Sequence, residues 1–454
     1  MRRRPAQRGH TLPRLRRLAA RRRLPGRGRG RGARTAHRQR AARALGPAPR
    51  GFTRTGRPHH LHPARTGRRR TPRTQHHHAH RVMISYIVPT RDRHSDLART
   101  LGAIGRLVEH DESSEHHEPG EVVVIDNNSR HTPVAPRRLP NGVRVKIIML
   151  DGNLGAASRN VGADRAHPDS DWLVMLDDDS HPLDGRFIAT LRSAPADVGI
   201  VTADIHLPAQ NRREDGGLPE VFVGCGAAIR RELLDKAGGY DANFEYYVEE
   251  YDLSARTIAL GYRVMFEPRF RVDHHKSPGG RDMNRIVSLL LRNGSWVMQR
   301  YAPEADRREQ LREIRRRCRL IADLEQARDG YIRGLGLVRE TLREQARAPM
   351  SREHFDRFTG LWHAREALQR AHENERFANA AVVARGKNAW VVDRALAELG
   401  VDLVPVEQAE ALVIGTMSPG PMLDALGKFQ GRGRVIAPWS TAEAARTRLN
   451  RPRP

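Results

Sequence analysis

The chain has 454 residues, a formal charge of +27 and two cysteines, Cys225 and Cys318. That length allows two or three domains with real cores. Two cysteines exclude a disulfide framework, and the lack of any apolar run of about 18 residues excludes a membrane-spanning helix. The charge is confined to one end. Residues 1–82 hold 26 arginines and no Lys, Asp or Glu, whereas the remainder carries 54 basic against 53 acidic residues. A nucleic-acid partner is therefore not expected for the folded part.

Residues 1–82 have few large apolar side chains and no sustained period, so they cannot offset the entropy of ordering and are expected to be a disordered tail. They lack the continuous apolar segment of a secretory signal, and Met83, directly before the first strand-like run, is the expected true start. A reducing, cytoplasmic interior is the default, with peripheral association at the inner face of a membrane left open.

From Met83 short apolar runs alternate with helix-period segments. "MISYIVPT" reads as a strand. In "HSDLARTLGAIGRLV", Leu97, Leu101, Ile104 and Val108 share one helical face. "EVVVIDNNS" and "VRVKIIML" are strands, "LGAASRNVGADRA" is a small-residue helix, and "DWLVMLDDDS" is a strand again. "FIATLRSA" and "VGIVTADI" continue the alternation. Such Val/Ile runs separated by helices predict an α/β domain around a mainly parallel, Rossmann-like sheet covered on both faces, over 83–300. Charge-dense helical sequence follows over 301–378. A small Rossmann-like block of strand, helix, strand, strand, helix, strand fills 379–447. Its "RGKN" lacks the rest of a phosphate loop, so it and the helical region are expected to serve acceptor or partner docking.

"LVMLDDDS" sets three aspartates directly after a strand. Adjacent carboxylates repel one another, so either they form a solvated acidic turn or a cation compensates them. In an open parallel sheet, ligands bind at the carboxyl ends of the strands. Pro89 and Thr90, Asp126 and Asn127, and Asp177 to Asp179 all fall at such ends. Three strand ends of one polarity favour a hard divalent cation, Mg²⁺ or Mn²⁺, and the diphosphate such a cation holds.

"SYIVPTRDR", "VVVIDNNS", "DGNLGAASRNVGA", "LVMLDDDS", "GCGAAIRRELLDKAGGYDANFEYYVEEYDLSARTIALGYRVMFEP" and "VDHH" stand in the order and spacing of another group of proteins. Over about residues 83–300 the chain resembles glycosyltransferase family 2, with its GT-A fold, and within it the bacterial rhamnosyltransferase-like branch. The resemblance implies inverting transfer of a sugar from a nucleotide-diphosphate donor to a hydroxyl acceptor, a glycan or a lipid-linked one, in cell-surface polysaccharide or glycoconjugate synthesis.

Carried over by position, the resemblance gives Pro89 and Thr90 the nucleotide pocket, Asp126 the base and Asp178 the ribose. Arg159 would sit near the donor, or else serve as a helix-surface cation. Asp177 and Asp179 would be the DxD metal ligands. His274 would complete the metal shell, with His275 beside it as the other choice. Glu250 would be the general base, with Glu249 the fallback because the family more often has Glu-Asp at this pair. Asp252 could instead cap the helix. Asn127 and Asn128 depart from the family's acidic pair. Gly224 and Gly226 would admit the sugar or mark a strand bulge.

Three rivals remain on the residues alone, one of them an arginine-rich nucleic-acid binder that truncation at Met83 should abolish. A haloacid-dehalogenase-like phosphohydrolase would use Asp177 as nucleophile, but its motif normally opens the domain. A non-catalytic nucleotide-sugar-binding module would keep Asp126 and need no acid at Glu250.

Overall fold

The computed structural model describes residues 82–107, 120–276 and 282–439. The expectations for the tail over 1–81 and for Val108 lie outside the described residues. All the described residues belong to one compact unit.

The chain opens with β1 (Ile84–Thr90), α1 (His94–Ile104), β2 (Glu121–Asp126), β3 (Arg144–Met149), α2 (Ser158–Arg165) and β4 (Trp172–Met175). β1 pairs parallel with β2 and β4, and β2 pairs parallel with β3. Both faces of β1, β2 and β4 are buried, which is why their apolar runs are nearly unbroken, whereas the edge strand β3 is only partly buried. In β2, Val122 and Val124 join one apolar cluster while Val123 and Ile125 join another, as alternation along a strand requires. α1 buries Leu97, Leu101 and Ile104.

Next come β5 (Ser180–Pro182), α3 (Arg186–Ser193), β6 (Val198–Leu207), β7 (Arg212–Arg213), β8 (Ala227–Arg230), α4 (Arg231–Ala237), α5 (Glu249–Ala259) and β9 (Arg263–His274). Among the described residues the main sheet has the order β3-β2-β1-β4-β8-β6-β9-β5, with β7 paired to β6. The predicted α/β class holds and the arrangement is that of a GT-A fold, but the sheet is mixed. β8 runs antiparallel to both β4 and β6, and β5 runs antiparallel to β9. The cause lies in the connection. No α-helix intervenes between β6 and β8, and a parallel pair would need a long crossover there.

The helical region comprises α6 (Met283–Tyr301), α7 (Glu304–Leu324), α8 (Arg328–Thr341), α9 (Arg352–Thr359) and α10 (Leu361–Asn374). β10 (Asn379–Val383), α11 (Ala389–Glu398), β11 (Asp402–Leu403), β12 (Ala411–Ile414), α12 (Pro419–Phe429) and β13 (Val435–Ile436) follow. These strands form a separate parallel sheet of order β11-β10-β12-β13, in the sequence of elements read from the residues.

This second sheet shares its core with the rest. One apolar cluster runs from Leu218, Phe244 and Ile258 through Trp296, Phe355 and Phe358 to Val392, Ile414 and Met417. Across the same junction, Arg357 grips the buried Glu220 with two nitrogens, at 2.8 and 2.6 Å.

Candidate functional site

The three aspartates stand where β4 ends, and cationic side chains of the chain itself compensate them. Arg159, buried on α2, hydrogen-bonds Asp177 Oδ1. Arg93, just ahead of α1, lies 3.1 Å from Asp178 Oδ1 and 2.7 Å from Asp179 Oδ2. His274, at the end of β9, brings Nε2 to 3.3 Å from Asp179 Oδ1. Thr90 at the end of β1 donates to Asp178 Oδ2 at 2.9 Å.

Their electrostatics diverge. Burial pushes Asp178 up to about 7; Arg93 and Thr90 oppose this, and the neighbouring Asp177 and Asp179 add to it. Burial alone would raise Asp179 too, but His274 and Arg93 outweigh it and hold that carboxyl below its usual range. Burial disfavours the His274 imidazolium, yet the adjacent Cys225 sulfur, Asp179 and Glu214 push its affinity for the proton up. Glu214 is held down to about 2: burial opposes the shift, and His274 and Lys276 drive it.

The general-base candidate is on α5. Glu249 and Glu250 fill the first turn, and the residue before them, Val248, has φ 72°. Burial raises both carboxyls above the usual range, and their proximity raises Glu249 further. Glu250 Oε1 accepts from the Gly224 backbone N–H at 3.3 Å. A Cβ on Gly224 would stand 3.1 Å from Glu250 Oε1 and 3.7 Å from Arg159 Nη2. Glycine here lets the acid, the arginine and the backbone pack together. Gly226 is in close packing with Ile205, 3.0 Å from where its Cβ would be. Asp252 is no cap: it lies inside the helix and accepts from Arg256, Arg300 and the Tyr301 hydroxyl, tying α5 to α6.

Pro89 is half-buried beside Thr90. Asp126 is fully buried, and its carboxylate accepts the Ser129 hydroxyl and backbone N–H, closing a turn after β2. Asn127 bridges to Leu154 N and Ser158 Oγ, anchoring the segment before α2. Among the expected residues, then, Thr90, Arg159, Asp177, Asp178, Asp179 and His274 converge directly, and Glu250 joins them through Gly224 and Arg159. His275 contacts Asp179 through its backbone N–H, 2.8 Å from that residue's carbonyl oxygen.

Reading by residue pattern did not single out Arg93, Glu214 or Asn293. Glu214 Oε2 lies 3.2 Å from His274 Nδ1 and 2.5 Å from Lys276 Nζ. Asn293, fully buried on α6, donates its amide to the carbonyls of Phe244, Tyr246 and Tyr247 at 2.8–3.0 Å. Glu245, Tyr247 and Val248 all take positive φ in that loop, conformations that persist only when held from outside. The one local signal is the polar pair Arg292-Asn293 inside the apolar run "LLLRNGSW".

The family model described as Glycosyl transferase family 2 matches residues 85–220. No curated protein matches the sequence. Among solved structures, GalNAc-T7 with UDP, GalNAc and Mn²⁺ aligns at 16% identity and TM-score 0.42, covering 58% of this chain and 57% of that one. The Pyrobaculum calidifontis mannosyltransferase PcManGT with GDP-Man and Mn²⁺ aligns at 17% identity and TM-score 0.39, over 70% of this chain and 86% of the other. TarS 1-349 of S. aureus with UDP-GlcNAc gives 15% identity and TM-score 0.41, over 65% and 88%. The chain thus spans little more than half the GalNAc-T7 chain, and likenesses this remote carry nothing about donor or acceptor.

Proposed function

Since residues 85–220 form a glycosyl transferase family 2 domain, we propose that this protein is a glycosyltransferase. It moves a sugar, with inversion, from a nucleotide-diphosphate donor to a hydroxyl acceptor. The observation that carries the reading is the meeting of two acid clusters at Gly224. Glu250 Oε1 accepts from its N–H, and Arg159, bound to Asp177, packs against the same residue.

In this reading the acceptor hydroxyl gives its proton to Glu250 as its oxygen bonds to the anomeric carbon. The bond from that carbon to the diphosphate breaks, and the diphosphate leaves with the electron pair. A raised carboxyl suits the role, because a base works best when its proton affinity approaches the working pH. Arg93 and Arg159 hold positive charge beside the departing anion. Thr90 and Pro89 line the nucleotide end, Asp126 faces the base and Asp178 the ribose.

The acidic residues also fit a divalent ion, Mg²⁺ or Mn²⁺. Asp179 Oδ1 is buried and accepts no hydrogen bond, although His274 Nε2 is 3.3 Å away; an ion between such groups would satisfy the orphaned oxygen. Asp177, Asp179 and His274 would hold it, and when bound it would offset charge on the leaving diphosphate.

The test uses the full chain with a panel of nucleotide sugars and Mn²⁺, following thermal stability and nucleoside-diphosphate release. Stabilisation by one donor, with release that depends on Glu250, is expected. Turnover of phosphate monoesters with phosphorylation of Asp177, or donor binding without release for any acceptor, would overturn the reading.

A further inference from the structure

Two adjacent aromatic residues, Tyr246 and Tyr247, stand just before the acid helix α5 and have no role in the transfer just described. Their ring centroids are 6.4 Å apart and their planes are tilted by 50°. The Tyr246 hydroxyl meets Asn153 Oδ1 at 3.3 Å, and the Arg285 guanidinium lies 5.8 Å from the ring centroid. Burial raises that hydroxyl, with Asn153 and Arg159 opposing and Asp177 adding to the shift. Tyr246 is therefore within electrostatic reach of both members of the Arg159–Asp177 pair. Tyr247 is the more exposed ring, at 39%, three residues ahead of Glu250. We propose that Tyr247, backed by Tyr246, is the acceptor platform of this site. Its ring stacks on the C–H face of a pyranose, so the accepting hydroxyl belongs to a sugar ring.

The backbone of Tyr247 is not that of an incidental surface residue. Its φ is 69°, a left-handed conformation in which glycine is at ease and a bulky side chain is strained. Packing does not account for a tyrosine there, because much of the ring faces solvent. Yet the conformation is enforced from two sides. On one side, buried Asn293 of α6 donates to the carbonyls of Phe244, Tyr246 and Tyr247, and buried Arg292 donates to that of Phe244 at 3.1 Å. On the other, Ala156 N donates to the Glu245 carbonyl at 2.9 Å, and a Cβ on Gly155 would stand 2.3 Å from that oxygen. Gly155 leads into α2 and Arg159, so the loop is tied to the donor side of the site. Strain over-determined by its surroundings gathers at ligand clamps.

Chemistry selects the occupant. A pyranose carries hydroxyls around its rim and a patch of C–H groups on one face, and the negative face of an aromatic ring takes that patch. Tyrosine offers this area at low entropic cost, with a hydroxyl that stays wet. The surroundings disfavour an acyl chain. Asn243, Glu245 and Arg285 are exposed beside the platform, and such groups pair with the hydroxyls of a sugar. Position then supplies the purpose: a sugar on Tyr247 lies next to the first turn of α5, where a hydroxyl must be oriented toward Glu250.

The inference rests on the transferase reading for Glu250 as the base, but its test needs neither donor nor turnover. Saturation-transfer NMR is run on the full chain with the methyl pyranosides of glucose, galactose, mannose, rhamnose and N-acetylglucosamine. At least one should receive saturation, most strongly on the C–H protons of one ring face. Tyr247→Gly should bind that pyranoside on the order of tenfold more weakly, the loss of one stacked ring, and Tyr247→Phe should bind it as the parent does. Because glycine suits a φ of 69°, Tyr247→Gly should unfold at a temperature no lower than the parent's, which separates loss of the platform from loss of the fold. Tyr247→Asn, which also tolerates that conformation, is the second ringless variant. No binding by any of the five pyranosides, undiminished binding by the ringless variants, or equal loss in Tyr247→Phe overturns the proposal. The two readings fail separately. Pyranoside binding that needs Tyr247, in a protein that releases no nucleotide, sinks the transferase reading alone. Glu250-dependent release, with pyranoside binding indifferent to Tyr247, sinks the platform alone.

Discussion

Gly420, at the start of α12, lies so close to Glu214 that a Cβ there would stand 2.2 Å from the Glu214 carbonyl oxygen. The same helix fixes the neighbouring residues. Asp424 takes the Arg213 backbone N–H at 2.9 Å and its guanidinium at 2.7 Å, and Ser418 Oγ donates to the Gly216 carbonyl at 2.7 Å. The second sheet therefore clamps the loop that presents Glu214 to His274. This alters what the last block of the chain is for: it supports the site as well as any partner.

Gly420→Ala should force that loop to move, because the obstacle is backbone and not a flexible side-chain end. Overpacking of this kind costs about 1–3 kcal/mol. A lower unfolding temperature and slower nucleotide release are expected from the same preparation. Asp424→Ala, which breaks a partly exposed pair, should cost under about 1 kcal/mol. Parental stability and turnover in Gly420→Ala would show that the clamp is not required.

Asn293→Leu should act on the acid helix from a distance. The amide carries two protons and shares them among three carbonyls of the loop before α5. Without it, Glu245, Tyr247 and Val248 lose their restraint, and Glu250 shifts with them. A displacement near 1 Å at a reacting group costs on the order of a hundredfold in rate. Steady-state turnover should fall by about that factor while circular dichroism still reports the helices. An unchanged rate in a folded variant would remove Asn293 from the positioning scheme.

These cases show where the sequence is readable. Strand ends are legible because β1, β2 and β4 announce themselves by Val/Ile runs, and the residue after each run is then a site candidate. The mixed character of the sheet was hidden, since an antiparallel β8 has no local signature beyond the missing crossover helix. Arg93 escaped notice because its meaning depends on Asp178 and Asp179, more than eighty residues along the chain. Glu214 and Asn293 are alike in this respect: each acts through a contact across the fold, and spacing along the chain does not encode it. The three aspartates illustrate both sides. Their need for compensation was legible, and so were Arg159 and His274 through the resemblance, whereas the Arg93 guanidinium that bridges Asp178 and Asp179 was not.

His363 gives the pH dependence its clearest sign. It sits on α10 with Nε2 3.6 Å from Glu220, and burial depresses its proton affinity to about 4, Glu220 opposing the shift. The unfolded chain has the ordinary value of about 6.5 and binds the proton more readily. Stability from the neutral ring is thus present above pH 6.5 and is lost as pH falls from there toward 4. The difference corresponds to at most about 3 kcal/mol, less in practice because the ring is partly exposed. Thermal unfolding followed from pH 7 to 4 should show that slope, and His363→Gln should flatten it. A variant with the parental slope would point to other groups.

The assignment of the base is the sharpest test of the site. Glu250 and Glu249 share the first turn of α5, but they face different surroundings. Glu250 Oε1 is held by Gly224 N–H beside Arg159, whereas Glu249 Oε2 is buried with no hydrogen-bond partner. Removing a general base costs on the order of a hundred- to ten-thousandfold in rate. Glu250→Gln should lose that much turnover while donor-induced stabilisation stays near the parental value. Because a base must be ionised to work and burial raises this carboxyl, the parent's rate should fall on acidification at a pH above the usual glutamate range. Glu249→Gln should retain most of the rate, since the oxygen it alters has no partner to lose. Asp252→Asn should lose stability first, through Arg256, Arg300 and Tyr301. If Glu250→Gln turns over at the parental rate and Glu249→Gln is inactive, the proton goes to the neighbouring acid, and the Gly224 contact only orients the helix.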